Sequence, residues 1–257
     1  MINEIISSLD NQMVKEARSL NDKKFRRYYG KFLIDGEKLV NEAVCGALEI
    51  DKIFVDASKM ANFDYILNNY SGKIVPVTSK VIASISENVT PQGIIAEVYM
   101  KPMGEFNPEK NQPFLVLDRI QDPGNLGTII RTAAATGYET IVLIDTVDAF
   151  SPKVIRSSSG GIVYLDIYRL SEEEVISYCE KNSVELLVAD MGGVNIFSAN
   201  ITNQNYALVI GNEGQGVSQN LKEVGRRISL PMKSQMESLN AAVSASVLMY
   251  ILKGERI

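Results

Sequence analysis

Arg131 is the only cation in the stretch DPGNLGTIIRTAAATG, residues 122–137. Its neighbours Ile129, Ile130, Ala133, Ala134 and Ala135 are core-forming types, so a permanent charge among them needs a reason. Arginine stays protonated at neutral pH and serves poorly as a general base. Its paired N–H groups grip a phosphate, stabilise charge developing on an oxygen, or pair with a carboxylate such as Glu213. Two further loops carry polar groups in comparable settings. GNEGQGVS (211–218) sets Glu213 among three glycines, which let a backbone approach a ligand closely. An ordinary glycine-rich turn, capped by Asn212 or Ser218, has the same composition. ISLPMKSQMESLNAAVSA (228–245) ends a strand at Leu230-Pro231-Met232 and opens a helix at Ser238 and Asn240. Ser238 as N-cap with Asn240 in the first turn is the structural alternative; a hydroxyl and an amide at such an end also bind a polar ligand group.

The composition removes several chemistries. There is no histidine, so Ser-His-Asp hydrolysis, Cys-His proteolysis and histidine-ligated metal sites are excluded. Cys45 and Cys179 form no Cys-x-x-Cys pair, which argues against a disulfide framework or cysteine zinc site and fits a reducing cytoplasm. Neither a secretory leader nor an apolar run of membrane-spanning length is expected. The net charge of −5 hides a local excess. Residues 12–31, QMVKEARSLNDKKFRRYYGK, hold Lys15, Arg18, Lys23, Lys24, Arg26, Arg27 and Lys31 against Glu16 and Asp22, with Phe25, Tyr28 and Tyr29 interleaved. Basic groups pair with phosphates and aromatics stack on bases, which makes this an RNA-binding candidate. A solvated helix face over packed tyrosines fits it equally.

The elements that must position these groups follow from the apolar pattern. The proline-rich segment 101–113, KPMGEFNPEKNQP, reads as a linker between residues 1–100 and 114–257. Before it, strands are predicted at 32–34, 53–55, 74–77 and 94–99, with helices at 11–20, 37–46, 60–69 and 79–86, a small α/β domain. After it, apolar runs at 114–118, 140–145, 162–168, 185–190 and 206–211 alternate with helices at 125–136, 151–159, 171–182, 216–225 and 238–253. Near-continuous apolar strands of this kind make a mostly parallel sheet with helices on both faces, and ligands bind beyond the carboxyl ends of its strands. All three polar loops belong at those ends. The first offers Gly124 and Gly127, with Asp145 ending the next strand, a half-match to a dinucleotide-binding unit that supports a nicotinamide-dependent oxidoreductase as an alternative. Gly137 suits a helix C-cap.

Taken together, the three loops resemble the SpoU/TrmH family of the SPOUT superclass of RNA methyltransferases. The carriers are Asn125 with Arg131 six residues on, Gly211-x-Glu213-x-x-Gly216 after an apolar strand, and Leu230-Pro231-Met232 followed by Ser238-Leu239-Asn240. Ser234 departs from the glycine many members have after Pro-Met. Residues 1–100 resemble the ribosomal-protein-L30e-like substrate-binding domain that precedes some of these enzymes, through NQMVKEARSLNDKKFRRYYGKFLIDGEKLVNEA and TPQGIIAEV.

The resemblance implies S-adenosylmethionine as cofactor, methylation of a ribose 2′-hydroxyl in structured RNA, a homodimer and a trefoil knot in 114–257, with no metal. It implies that Gly211, Leu230 and Leu239 contact the cofactor. Methyl transfer to a hydroxyl needs alignment and stabilisation of a developing alkoxide. Arg131 is the expected stabiliser, Asn125 would fix the ribose or Arg131, pairing with Glu213 would orient Arg131, and Ser238 and Asn240 would hold the cofactor's polar end or the ribose. Ribosomal RNA is expected over transfer RNA by analogy. A non-catalytic RNA-binding protein on the same fold is the other alternative.

Overall fold

The computed structural model describes residues 4–46, 48–101, 106–108, 112–233 and 238–253. Ser234 and most of the expected linker lie outside them. The chain forms two compact units: Met1–Pro102 with Asp148–Tyr164, and Met103–Val147 with Leu165–Ile257.

The first unit opens with α1 (Gln12–Ser19) and α2 (Lys23–Tyr29). Asn11 accepts a hydrogen bond from Met13 N and Asp22 from Lys24 N, so each helix starts on a capped donor. Gly30, at φ 63°, ends α2 in the left-handed conformation that glycine adopts most readily. Next come β1 (Lys31–Asp35), α3 (Glu37–Cys45), β2 (Ile50–Asp56), a 3-10 turn at 57–63, α4 (Asp64–Asn68), β3 (Lys73–Val77), α5 (Ser79–Ile85) and β4 (Ile94–Tyr99). The sheet order is β1-β4-β2-β3, with β1 and β2 antiparallel to β4 and β3 parallel to β2. Val14, Ala17 and Leu20 pack with Val81, Ile82 and Ile85 on Phe54, Val75 and Ile95.

Two members of the expected RNA-binding set are spent on this packing. Lys31 is buried, and its ammonium donates to Glu16 (3.0 Å), Asp51 (2.8 Å) and Glu97 (2.9 Å). Lys52 donates to the other Glu97 oxygen at 2.9 Å and to Asp51. Burial opposes ionisation of Asp51, yet hydrogen bonds from Lys31 and Lys52 outweigh it and hold its pKa at about 2. Burial pushes the Glu97 carboxyl up despite its lysine partners. The three carboxylates lie close enough together to ligate a metal, but the ammoniums of Lys31 and Lys52 already bond all three. Arg26 is 3% exposed and donates to the Leu20 and Asn21 carbonyls and, through Nε and Nη2, to Asp148 Oδ2 at 3.1 and 2.6 Å. Lys31 and Arg26 are therefore structural cations, since a buried charge is held only when its partners are saturated.

The second unit begins with β5 (Phe114–Asp118), α6 (Pro123–Ala135) and β6 (Thr140–Ile144). The chain then returns to the first unit through α7 (Pro152–Ser158) and a 3-10 turn at Gly161–Tyr164, where Phe150 packs on Phe32 with ring centroids 5.0 Å apart. The strand predicted at 162–168 is thereby corrected: its first residues form that turn, and only β7 (Asp166–Arg169) is extended. A short apolar run cannot distinguish a buried helical turn from a strand, and Gly160 at φ 92° turns the chain there. The rest is α8 (Glu172–Asn182), β8 (Glu185–Asn195), β9 (Tyr206–Ile210), α9 (Gln219–Val224), β10 (Arg226–Ser229) and α10 (Ala241–Lys253).

All six strands of the second unit are parallel, in the order β10-β8-β9-β5-β6-β7. Phe114, Val116, Val142, Ile144, Val188, Ala207 and Val209 form one core with Val175 and Cys179 of α8 and Leu221 of α9. The alternate residues Leu115, Leu117, Ile141, Leu143, Leu208 and Ile210 are buried too, so both faces are covered. α6 packs along α10, and Thr132 Oγ1 meets Ser246 Oγ at 3.0 Å.

Candidate active site

The carboxyl ends of β5 and β9 and the start of α10 bring the three motif loops together. α6 starts on Asp122, whose Oδ1 accepts from Asn125 N at 2.8 Å, with Pro123 at the first helical position. Asn125 is thus held at its backbone while its amide is free to point out. Its Nδ2 donates to Glu213 Oε1 at 2.6 Å, and its Oδ1 accepts from Asn240 Nδ2 at 3.0 Å. Asn240 also caps α10, accepting from Ala242 N at 2.9 Å and Val243 N at 3.2 Å. The helix begins at Ala241, so Asn240 is the N-cap and Ser238 is an exposed residue two positions before it, the reverse of the simple sequence expectation. A single relay, Asn240–Asn125–Glu213, ties one residue from each motif.

The glycine loop is closed on itself. Asn212 N and Gly216 O are 3.1 Å apart, Gly216 N and Asn212 O 2.9 Å, and Asn212 Oδ1 accepts from Gly214 N and Gln215 N. A Cβ on Gly211 would stand 2.2 Å from Val217 N, so only glycine permits this fold-back. Asn212 thus caps the turn, one of the two options considered from sequence, whereas Ser218 stands at the start of α9 and makes no side-chain cap bond.

The loop is fastened to β5 by residues outside the three motifs. Asp118 is buried and accepts from Arg119 Nε at 2.9 Å and from Ser218 N at 2.8 Å. Arg119 reaches Gln215 Oε1 at 3.2 Å, and its carbonyl accepts from Asn212 Nδ2 at 2.9 Å. Arg119 and Asp145 both hold positive φ, 56° and 44°, an uncommon conformation for non-glycine residues that costs about 1–3 kcal/mol and clusters at functional sites. The available signal was the acid ending FLVLD, a charge at the last position of a buried strand.

Beside the relay lies a cavity of about 390 Å³ within the second unit, bounded by β8, the 211–216 loop, residues 228–232 and the start of α10. That volume is in the range of small-molecule and cofactor sites. Gly211, Leu230 and Leu239 line it, as do Glu213 and Ser238. Its remaining walls include apolar side chains (Ile210, Ile228, Met232, Leu248) and polar ones, among them Asn212, Gln215, Ser229 and Ser244, with Asp190 and Lys222 3.7 Å apart. Asn125, Asn240 and Arg131 do not line it. Arg131 is exposed on α6 and makes no hydrogen bond or ion pair with any described residue, so the pairing with Glu213 expected from sequence is replaced by that of Asn125. Asp145 also stands apart from the cavity and is exposed, with its carbonyl accepting from Gln121, so the half-matched dinucleotide loop builds no ribose site.

Of the basic cluster, Lys15, Arg18, Lys23, Lys24 and Arg27 are exposed, Lys15 pairing with Asp10 at 2.9 Å.

A parallel sheet with a partly open cavity at its carboxyl ends and a polar relay beside it defines an α/β protein with room there for a cofactor-sized ligand. The pattern of the SpoU rRNA Methylase family matches residues 112–250, and that of the MRM3-like substrate binding domain matches residues 11–96. The chain is 33% identical over 253 residues to the 23S rRNA (guanosine(2553)-2′-O)-methyltransferase RlmP of Bacillus subtilis, covering 97% of this chain and 99% of that protein. It is 27% identical to the mitochondrial rRNA methyltransferase 3A of Danio rerio, over 94% of this chain and 68% of the other. Among solved structures, an AdoMet-bound rRNA methyltransferase from Sinorhizobium meliloti superposes with a TM-score of 0.87 at 27% identity, covering 99% of this chain and 98% of that one. The chain belongs to the SpoU rRNA methylase family. The oxidoreductase alternative is set aside on that membership and on the place of Asp145.

Proposed function

We infer that the protein transfers a methyl group from S-adenosylmethionine to a ribose 2′-hydroxyl in structured RNA, ribosomal rather than transfer RNA. The observation that carries this is the Asn240–Asn125–Glu213 relay set against the cavity. The cavity fits the cofactor: its apolar walls suit an adenine and the methylene chain, the backbone of the 211–216 loop offers hydrogen-bonding groups, and the carboxylates of Glu213 and Asp190 suit a sulfonium or ammonium cation. Bound there, the cofactor supplies an electrophilic methyl group. Gly211, Leu230 and Leu239 hold it, and Ser238 binds a polar end. Glu213 and Asn240 fix the Asn125 amide, which keeps one N–H free to orient the ribose.

Arg131 stabilises the developing alkoxide in the site of a second protomer. Its exposure on α6, outside its own chain's cavity, supports that assignment. The dimer uses α10, where Val243, Val247 and Tyr250 are 48%, 39% and 51% exposed at helical spacing, an apolar stripe too regular for a solvated helix. The trefoil knot belongs to the same reading; the edge position of β10 beside β8 and the packing of α10 along α6 support it. Lys15, Arg18, Lys23, Lys24 and Arg27 of the first unit capture RNA. Among the described residues no helix is long and apolar enough to cross a membrane. The reading assigns no metal and places the protein in the cytoplasm.

Calorimetry with S-adenosylmethionine, followed by tritiated methyl transfer to ribosomal RNA and mapping of methylated riboses, tests the function. Saturable binding and a new 2′-O-methyl group are expected. Binding of RNA without methyl transfer would leave only a non-catalytic RNA-binding protein.

A further inference from the structure

α2 is a seven-residue helix with one buried residue, Arg26. Four hydrogen bonds from that guanidinium, two to carbonyls at 2.6 and 2.7 Å and two to Asp148, clamp the helix from beneath. Both ends are also fixed, by the Asp22 cap and by left-handed Gly30. The other side chains therefore stand on a rigid base. Lys23, Lys24, Phe25, Arg27 and Tyr28 line a surface cavity of about 750 Å³, with no acid among them.

The aromatic rings are arranged in an ordered way. Tyr29 is half-buried and packs on the core; Phe25 stacks on it at 6.5 Å, and Tyr28 meets it edge-on at 4.9 Å. Lys24 lies 5.7 Å over the Phe25 ring. Tyr28 is 78% exposed. That exposure leaves the Tyr28 ring open to a partner from solvent, and the surrounding cations attract a phosphate backbone. Exposed aromatic faces flanked by cations are how proteins hold unpaired nucleotides, because every base offers a π-face while a duplex keeps its bases stacked.

We propose that the α2 face is a stacking site for an unpaired RNA base, with Tyr28 as the stacking residue and Lys23, Lys24 and Arg27 holding the flanking phosphates. It rests on the reading of this protein as an RNA methyltransferase and narrows the captured element to a loop, bulge or single strand. Affinity is measured for a hairpin with an unpaired loop and for a blunt duplex of equal length, without cofactor, so loss of catalysis does not enter the readout. Tyr28→Ala weakens the hairpin by about tenfold or more and leaves the duplex unchanged, while Tyr28→Phe binds as the parent. The chain lacks tryptophan, so Tyr28→Trp supplies a single reporter that the hairpin quenches and the duplex does not. The triple reversal Lys23→Glu, Lys24→Glu, Arg27→Glu flattens the salt dependence; Tyr28→Ala keeps it. Hairpin binding unchanged by Tyr28→Ala, or an equal loss for the duplex, overturns the stacking site. If the triple reversal still flattens the salt dependence in that case, RNA capture by α2 stands without stacking. If it too changes nothing, RNA capture by α2 falls as well, and the face belongs to another partner such as an acidic protein.

Discussion

Arginines at positions 26, 119 and 131 show how far a residue's role depends on what surrounds it. Arg26 is saturated by two carbonyls and Asp148, Arg119 locks the glycine loop to β5, and the Arg131 guanidinium bonds none of the described residues. Only the last is free to meet a substrate. Arg131→Lys keeps the charge but cannot reproduce the two-pronged donor, so methyl transfer falls by about a hundredfold or more while cofactor affinity, read by calorimetry, stays at the parent value. Parent-like turnover would remove Arg131 from the reaction. Asp51 gives a prediction in acid. Its folded pKa, about 2, lies below the ordinary 3.8, so its contribution to stability is complete above about pH 4 and is lost as pH falls through about 2. Urea midpoints measured across that window should fall more steeply for the parent than for Asp51→Asn. Parallel curves would show that the Lys31 and Lys52 contacts add nothing to folding.

At the scale of elements, α10 serves three purposes. Its N-cap Asn240 joins the relay, Ala241, Ser244 and Leu248 wall the cavity, and its outer face carries the apolar stripe. A polar face would serve solubility better; Val243 and Val247 at the centre of the stripe make sense against a second copy. If the protein is the dimer proposed above, Val243→Asp with Val247→Asp should convert it to a folded monomer, seen by analytical ultracentrifugation. Methyl transfer should be lost with it, because Arg131 no longer reaches a partner's site. A monomeric parent would remove the proposed dimer, and a dimer untouched by both aspartates would place the interface elsewhere. The loops were legible as motifs, yet the terminus of α10 was misjudged by three residues, since both Ser238 and Asn240 have side chains suited to an N-cap. Only the observed bonds to Ala242 and Val243 select Asn240.

At the scale of the molecule, one chain holds a cofactor-sized cavity and a cation that does not enter it. If Arg131 completes the site of the partner, two inactive variants complement each other. Arg131→Lys spoils the cation, and Gly211→Val spoils the cavity by driving side-chain atoms into the Gly216–Val217 backbone. Co-refolded mixtures contain dimers in which an intact cavity faces an intact Arg131, so activity returns that neither variant has alone. No recovery from a mixture shown to form mixed dimers would mean that Arg131 acts within its own chain.

The sequence alone determined the parallel sheet, the places of its loops and the family, because apolar periodicity and three ordered motifs are local properties of a chain. Asn125, Glu213 and Asn240 were identifiable as polar residues at strand ends and a helix start. Their joining in one relay was not, since it depends on which loops the strand order brings together. Tertiary structure decided which cations are spent. Lys31 and Arg26 read like their neighbours in QMVKEARSLNDKKFRRYYGK, but burial commits them to Glu16, Asp51, Glu97 and Asp148, the last more than a hundred residues away. It also turned Ile162 and Val163 into a buried turn and gave residues 148–164 to the first unit. In each case the deciding term is desolvation: a side chain's fate follows from what covers it, and that partner is set by the fold rather than by its place along the chain.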